Sequence, residues 1–444
     1  MSLRISVFGT GYLGATHAAG MAELGHEVIG VDIDPAKIER LQRGEVPFFE
    51  PGLPELLKKH VDSGRLRFTT DAAEAAEFAD VHFIGVGTPQ KKGEYAADMS
   101  FVDAVIETLA PRLTRPAVIL GKSTVPVGTA ARLAARVREL APVGGEAQLG
   151  WNPEFLREGF AVEDTLRPDR LVLGVDKDNP GRIEEVAREV YADALSRDTP
   201  IVVTDLATAE LVKVSANAFL ATKISFINAV AEVCEATGAD VADLADAIGY
   251  DERIGRKFLG AGLGFGGGCL PKDIRAFMAR ADELGSGQAL RFLREVDDVN
   301  LRRRDHVVDL AAREAGGSLK GARIAVLGAA FKPNSDDVRD SPALDIAGRL
   351  HLGGADVRVF DPEAMANAAA VWPTLHFADN AQQACADADV VIVATEWSEF
   401  RTLDPVALKD VVAKPTVIDG RNCLPAESWI GAGWRYLGLG RYSS

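Results

Sequence analysis

Leu3-Arg4-Ile5-Ser6-Val7-Phe8-Gly9-Thr10-Gly11-Tyr12-Leu13-Gly14 decides the fold. Residues 3–8 read as a buried strand, and the glycine turn follows at once. A small-residue helix from Ala15 to Leu24 comes next, then a second apolar strand, His26 to Val31, that ends in Asp32. Strand, GxGxxG, helix, strand and acid is the order that a dinucleotide-binding βαβ unit requires. Gly9 makes the tight turn, Gly11 lets backbone approach a pyrophosphate, and Gly14 lets the helix pack on the strand. An acid at the end of the second strand accepts hydrogen bonds from a ribose 2′-hydroxyl and repels a 2′-phosphate, which selects NAD. Gly9, Gly11, Tyr12, Leu13, Gly14 and Asp32 are therefore candidate NAD contacts.

Outward from this unit the strand pattern continues. Val81–Val86 ends in Gly87-Thr88-Pro89, and Val118–Leu120 ends in Gly121-Lys122-Ser123-Thr124-Val125-Pro126. Thr88 and Thr124 fall at the carboxyl edge of the sheet, where ligands bind in open α/β folds, or else cap helices. Leu149–Trp151 leads into Asn152-Pro153-Glu154-Phe155-Leu156-Arg157-Glu158-Gly159, whose two carboxylates either decorate a solvated helix or reach into a cleft. Arg170–Val175 and Ile201–Val203 finish the first sheet. Phe48-Phe49-Glu50-Pro51-Gly52-Leu53 says only turn.

A helix free of Pro and Gly runs from Asp205 to about Thr237, with Thr204 or Asp205 as N-cap and Gly238 as stop. Its roughly 33 residues span about 50 Å, longer than a small domain. Such a helix bridges domains and packs on a partner subunit. Leu206, Leu211, Val214, Phe219, Ile227 and Val230 would otherwise leave an apolar stripe bare, so at least a homodimer is expected. Lys213 and Asn217 share one face of it.

Asp251–Leu259 feeds the run Gly264-Phe265-Gly266-Gly267-Gly268-Cys269-Leu270-Pro271-Lys272-Asp273. Pro271 suits a helix start, which puts Cys269 at the positive end of a helix dipole, a setting that lowers a thiol pKa and makes a nucleophile. A second long helix, Gln288–Ala315, carries Arg302-Arg303-Arg304 on what reads as a solvated face. Gly316-Gly317 marks a boundary. Arg323–Leu327, Val357–Phe360, Val390–Ala394 and Thr416–Ile418 then form a second parallel-sheet pattern. Its first turn, Gly328-Ala329-Ala330-Phe331-Lys332-Pro333, lacks GxGxxG, which argues against a second dinucleotide. Lys332, Arg339 and Arg421 are loop cations suited to phosphate. The expected fold is α/β: two Rossmann-like doubly wound parallel-sheet domains, 1–204 and 317–444, joined by a long-helix central region, 205–316, with the site in the cleft between them.

Composition limits the function. The net charge of −16, spread along 444 residues, argues against a nucleic-acid partner. The four cysteines form no CxxC and the seven histidines no cluster, so a reduced cytoplasmic setting without a metal is expected. No apolar run reaches membrane-spanning length, and the N-terminus enters directly into a strand pattern.

The cysteine run, the Asn152–Gly159 octet, Glu50-Pro51-Gly52-Leu53, the spacing Lys213-x-x-x-Asn217 and the dinucleotide fingerprint together resemble the nucleotide-sugar 6-dehydrogenase family. That family oxidises the C6 alcohol of a nucleoside-diphosphate sugar to a carboxylate with two NAD. The resemblance implies Cys269 as nucleophile, and Lys213 and Asp273 handling the alcohol proton and oxyanion with a water. It also implies Asn217 as oxyanion partner, Glu154 as the residue activating water for thioester hydrolysis, and Glu158 and Thr124 lining the site. It extends the NAD contacts to Lys37, Thr88, Thr124, Glu158 and Arg339. For the nucleotide sugar it implies Glu154, Phe155, Leu156, Lys213, Asn217, Phe258, Leu259, Phe265, Gly266, Lys332, Arg421 and, from a neighbouring subunit, Arg253. Two positions depart from the pattern: Gly268 stands where Ser is common, and Leu270 where an aromatic is often seen. Phe48–Leu53 and Arg253-Ile254-Gly255 favour UDP-glucose over dTDP-glucose, GDP-mannose or UDP-N-acetylmannosamine. A β-hydroxyacid dehydrogenase would need neither Cys269 nor the C-terminal half. An idle NAD-binding sensor is the non-enzyme alternative.

Overall fold

Apolar strands alternating with helices build two sheets in this computed structural model, which describes residues 2–441. The first sheet has eight strands: β1 (Arg4–Phe8), β2 (Glu27–Val31), β3 (Leu66–Thr69), β4 (Val81–Ile84), β5 (Ala117–Gly121), β6 (Ala147–Trp151), β7 (Leu171–Val175) and β8 (Ile201–Asp205). Their spatial order is β3-β2-β1-β4-β5-β6-β7-β8. The first six follow the doubly wound order, in which the chain reverses direction beside β1 and opens a crevice at the carboxyl ends of β1 and β4. Ile5, Val7, Phe83, Ile119 and Leu120 are fully buried, because such a sheet is covered by helices on both faces.

One pairing differs from a wholly parallel sheet: β6 meets β7 antiparallel, through Trp151 and Gly174. The chain between them holds only the six-residue helix Ala161–Leu166, which packs on the helix Tyr12–Glu23 and returns the chain beside β6 without a crossover.

The second sheet comprises β9 (Arg323–Leu327), β10 (Asp356–Phe360), β11 (His376–Phe377), β12 (Val390–Val393), β13 (Thr416–Asp419) and β14 (Arg435–Gly438). Its order, β11-β10-β9-β12-β13-β14, repeats that of the first six strands of the other sheet, and every pair is parallel. The chain divides into two compact units: the segment up to Ala216 with Arg275–Gly285, and Asn217–Ile274 with the segment from Ser286 onward.

The long helix is Leu206–Thr237. Asp205 caps it, accepting Thr208 N–H at 2.8 Å, and Gly238 ends it at φ +75°. By length and composition it is apolar enough to cross a membrane, which corrects the expectation that no apolar run reaches that length, but a helix buried in a protein core shares these properties. Buried Glu210 and Lys213 lie on the same helix. Its bare stripe also differs from expectation. Leu206, Val214 and Ile227 are buried in the protein's own core, whereas Phe219, Phe226 and Val233, spaced by seven, are exposed.

A further correction concerns the arginines of the helix Phe292–Glu314. Arg303 and Arg304 are buried, not solvated: Arg303 pairs with Glu235, and Arg304 with Asp340 and Asp345. A helix face rich in charge is solvated only when no acid waits opposite it.

Candidate active site

At the first turn of the first sheet the glycines have distinct jobs. Gly9 sits at φ +88°, where a Cβ would strike Val86, and a Cβ on Gly14 would lie 1.7 Å from the Gly9 carbonyl. Gly11 faces open space. The helix Tyr12–Glu23 starts there with no side-chain cap, leaving main-chain N–H groups for an anion.

At the end of β2, Asp32 Oδ2 accepts Thr10 N–H at 2.9 Å, the Thr10 hydroxyl at 3.1 Å and Lys37 Nζ at 2.9 Å. Burial opposes ionisation of Asp32, but Lys37 and the N–H groups of Thr10 and Asp34 outweigh it and hold the carboxyl below its usual range. Open backbone at Gly11, an uncapped helix start and an ionised acid fit the pyrophosphate and ribose of NAD. Thr88 donates its hydroxyl to the Thr124 carbonyl at 2.7 Å. Neither threonine caps a helix, since the next ones start at Ser100 and Thr129.

The equivalent acid of the second sheet, Asp361 at the end of β10, is fully buried. It accepts the N–H groups of Ala329, Ala330, Glu363 and Ala364 and the indole of Trp397. That carboxylate is saturated by protein donors, whereas Asp32 in the first sheet keeps its hydrogen bonds to Thr10, Asp34 and Lys37.

Beyond β6, Asn152–Gly159 is an irregular loop and not a helix, so Glu154 and Glu158 do not form a solvated helical pair. Glu154 Oε1 lies 2.9 Å from Lys213 Nζ, with both side chains nearly buried. The Phe155 ring stacks under the Arg170 guanidinium at 3.8 Å, and Lys213 Nζ lies 5.6 Å from the same ring. Asn152 is locked from below: Lys122 Nζ and the Tyr191 hydroxyl both donate to its Oδ1, and its amide donates to Val172 O. Burial pushes the Lys122 ammonium down to about 8. Phe155, Leu156 and Glu158 are half-buried on the same loop.

In the second unit, the helix Leu270–Glu283 begins at the residue after Cys269, whose carbonyl accepts Asp273 N–H at 2.9 Å. Cys269 is exposed. Asp273, buried, accepts Asn217 Nδ2 at 2.7 Å and Lys272 Nζ at 2.6 Å.

The glycine run before the cysteine lies flush against protein. Added Cβ atoms would meet Asn300 at Gly264, Asp340 O at Gly266 and the Phe331 ring at Gly267. Asn300 exchanges two hydrogen bonds with the Phe265 backbone, and Arg304 donates to the Phe265 carbonyl. At Gly268 a Cβ would sit 2.3 Å from the Arg339 guanidinium, so the departure from Ser makes room for that arginine. Arg339 is itself held by Asp337.

Arg421 donates to the carbonyls of Ala394, Gly264 and Phe331, tying the cysteine loop to the sheet turns. Lys332 lies 5.4 Å from the Phe331 ring. Phe258 takes φ +65° and is partly exposed, while its neighbour Leu259 is buried. Arg253 projects outward, paired with its neighbour Asp251.

Residues 3–195 match the NAD binding domain of the UDP-glucose/GDP-mannose dehydrogenase family, 207–302 its central domain and 325–426 its UDP binding domain. The UDP-glucose 6-dehydrogenase of Rhizobium meliloti (strain 1021) is 43% identical over 439 residues, covering 99% of this chain and 100% of that protein. The chain belongs to the UDP-glucose/GDP-mannose dehydrogenase family. A solved UDP-glucose dehydrogenase from Pyrobaculum islandicum superposes with a TM-score of 0.90 at 38% identity, covering 99% of this chain and 98% of the other. A UDP-D-ManNAc dehydrogenase from Pyrococcus horikoshii gives 0.84 at 26%, with both chains fully covered. As a family member the chain is an NAD-dependent oxidoreductase acting on a nucleotide sugar.

Family membership leaves four polar residues that sequence reasoning passed over. Lys122 lies within Gly121–Pro126, where the sequence alone assigns it no role. Lys272 stands beside Asp273 in the cysteine run. Glu50 falls in the motif Glu50-Pro51-Gly52-Leu53 and Glu210 on the long helix, and the sequence alone assigns neither a role. Lys122, Glu50 and Glu210 are buried and Lys272 is half-buried. A charged residue inside an apolar pattern was the one signal available for Glu210 and Lys122.

Proposed function

We propose that this dehydrogenase converts UDP-glucose to UDP-glucuronate, with Cys269 as covalent nucleophile. The observation that carries the reading is Cys269 itself, exposed at the first residue before a helix, with buried Asp273 one turn on. The helix dipole favours the thiolate there.

Bound NAD supplies the hydride acceptor and is used twice per sugar. Gly9, Gly11, Tyr12, Leu13, Gly14, Asp32, Lys37, Thr88, Thr124, Glu158 and Arg339 are the residues proposed to hold it. Lys213 and Asp273 handle the hydroxyl proton while C6 loses its first hydride and becomes an aldehyde. Asn217, already an amide donor to Asp273, is the oxyanion partner. The Cys269 thiolate then adds to the aldehyde carbon, a C–S bond forms and the oxygen takes up a proton. Loss of the remaining hydride and of that proton from the thiohemiacetal leaves a thioester. Glu154 accepts a proton from water, the water oxygen attacks the thioester carbon, the C–S bond breaks and the thiolate is restored. One alcohol and one water become a carboxylate, with four electrons removed as two hydrides.

Likeness to relatives that bear the name UDP-glucose dehydrogenase supports that substrate over the N-acetylated sugar of the more distant neighbour. Lys332 and Arg421 offer the cations for a diphosphate. NADH formation measured with UDP-glucose, dTDP-glucose, GDP-mannose and UDP-N-acetylmannosamine tests the choice. Highest kcat/KM with UDP-glucose is expected, and a higher value with any other of the four overturns it.

A further inference from the structure

Glu50 stands in the turn Glu50-Pro51-Gly52-Leu53, yet the residue is 1% exposed. No cation meets it. Its Oε2 accepts the Tyr12 hydroxyl in a short hydrogen bond and the Gly159 N–H at 2.6 Å, and its Oε1 accepts the Ala161 N–H at 2.7 Å. Gly159 N–H also reaches the Tyr12 hydroxyl at 3.1 Å.

A carboxylate buried this deeply is tolerable only while its donors stay in place. Those donors come from two functional segments. Tyr12 is the first residue of the helix that follows Gly11, and its ring packs on Phe48 with centroids 5.0 Å apart. Gly159 closes the loop that carries Glu154 and Glu158, turning at φ +80°, and Ala161 opens the next helix. One buried carboxylate therefore ties the dinucleotide turn to the Glu154 loop. Burial, then Glu50 itself, pushes the Tyr12 phenol far above its usual range, so it stays a donor.

We propose that Glu50 is a positioning residue that couples the NAD-binding turn to the Asn152–Gly159 loop through Tyr12, so that a disturbance on either side is felt on the other. The inference rests on the reading of Glu154 as the group that activates water. A residue serving stability alone would lower the melting temperature and leave the partition between reaction steps unchanged.

Tyr12→Phe removes one donor and keeps the ring on Phe48, which makes it the main test. Expected are NAD binding about fivefold weaker by calorimetry and decay of the Cys269 thioester about tenfold slower by quenched-flow mass spectrometry. In a Glu154→Gln background the same substitution is expected to weaken NAD binding equally but to slow decay no further, because the base is already missing. Glu50→Gln is expected to show the Tyr12→Phe pattern more strongly. If it does not fold, Tyr12→Phe carries the test alone. Weakened NAD binding with unchanged thioester decay overturns the coupling, as does no change in either. If Glu154→Gln by itself leaves decay untouched, the base assignment fails, while Tyr12→Phe in the otherwise intact enzyme still decides the coupling.

Discussion

Asp32 and Lys37 show how one residue's meaning depends on its neighbour. From sequence, Asp32 repels a 2′-phosphate as an isolated charge. With Lys37 Nζ at 2.9 Å the pair is close to neutral, and we propose that discrimination against NADP rests on Asp32 occupying the lysine. Asp32→Ser would release Lys37 toward a 2′-phosphate. The ratio of kcat/KM for NAD to that for NADP is expected to fall by at least about tenfold, roughly 1.4 kcal/mol. An unchanged ratio would remove Asp32 from cofactor choice. Glu154 is altered in the same way by its neighbour. Read along the chain, Glu154→Gln spares both hydride transfers, since Lys213 stands far off in sequence. The 2.9 Å pair removes that independence, because the glutamine leaves Lys213 without its counter-ion. A rapid-quench time course is therefore expected to show a burst of NADH slowed severalfold, then accumulation of a Cys269 adduct removable by hydroxylamine. A normal rate of adduct decay would move the base role to another carboxylate, with Glu158 next.

At the scale of elements, two helices are joined by Glu210. Its carboxylate accepts the N–H groups of Gly128 and Ala130 at 2.7 and 2.6 Å, at the start of the helix Thr129–Leu140. Burial outweighs those donors and raises its pKa from 4.5 to about 7. A raised carboxyl pKa means that the folded state holds the proton more tightly than the unfolded chain. The group's contribution to stability is therefore greatest below about pH 4.5 and declines as pH rises towards 7, by roughly 3 kcal/mol in all. Urea unfolding of Glu210→Gln across that window is expected to show a shallower decline with pH than the parent, and identical slopes would refute the assignment. On the long helix, Phe219, Phe226 and Val233 leave an apolar stripe that a lone chain in water rarely keeps. We propose that it is the contact of at least a homodimer, with Arg253 contributed across it. Phe226→Asp is expected to weaken association at least tenfold by analytical ultracentrifugation. A parent protein that sediments as a monomer at working concentration would refute the dimer.

The whole molecule is tested by its electron count. Two NADH per sugar, with no aldehyde released, is the expected yield of the intact enzyme. Cys269→Ala should lose acid formation by several orders of magnitude while keeping nucleotide-sugar affinity within a few fold. Product chromatography and calorimetry measure the two, and continued uronic-acid formation by the variant would end the covalent mechanism. The repeated strand order explains how one chain supplies both halves of such chemistry. Each sheet opens a crevice at its reversal, but only the first keeps an open glycine and an acid not saturated by protein donors.

Short-range rules were enough for much of this protein. The turn Gly9–Gly14, the cap at Asp205, the stop at Gly238 and the helix start behind Cys269 each depend on a few adjacent residues. Backbone sterics and capping act over that range, so they are legible along the chain. The alternation of apolar strands and helices signalled two doubly wound sheets, while the edge strands β3, β11 and β14 were not marked by it. Tertiary structure alone decided where the buried charges went. Glu154 meets Lys213, Asp273 meets Asn217 and Lys272, Glu50 meets Tyr12 and Gly159, and Arg304 meets Asp340, in most cases across many tens of residues. Burying a charge is costly unless a partner is brought to it, and which partner arrives depends on the folded path of the chain. The same applies to the glycines before Cys269. Sequence marks them as permissive backbone, but only packing shows that Phe331, Asp340 and Arg339 lie against them.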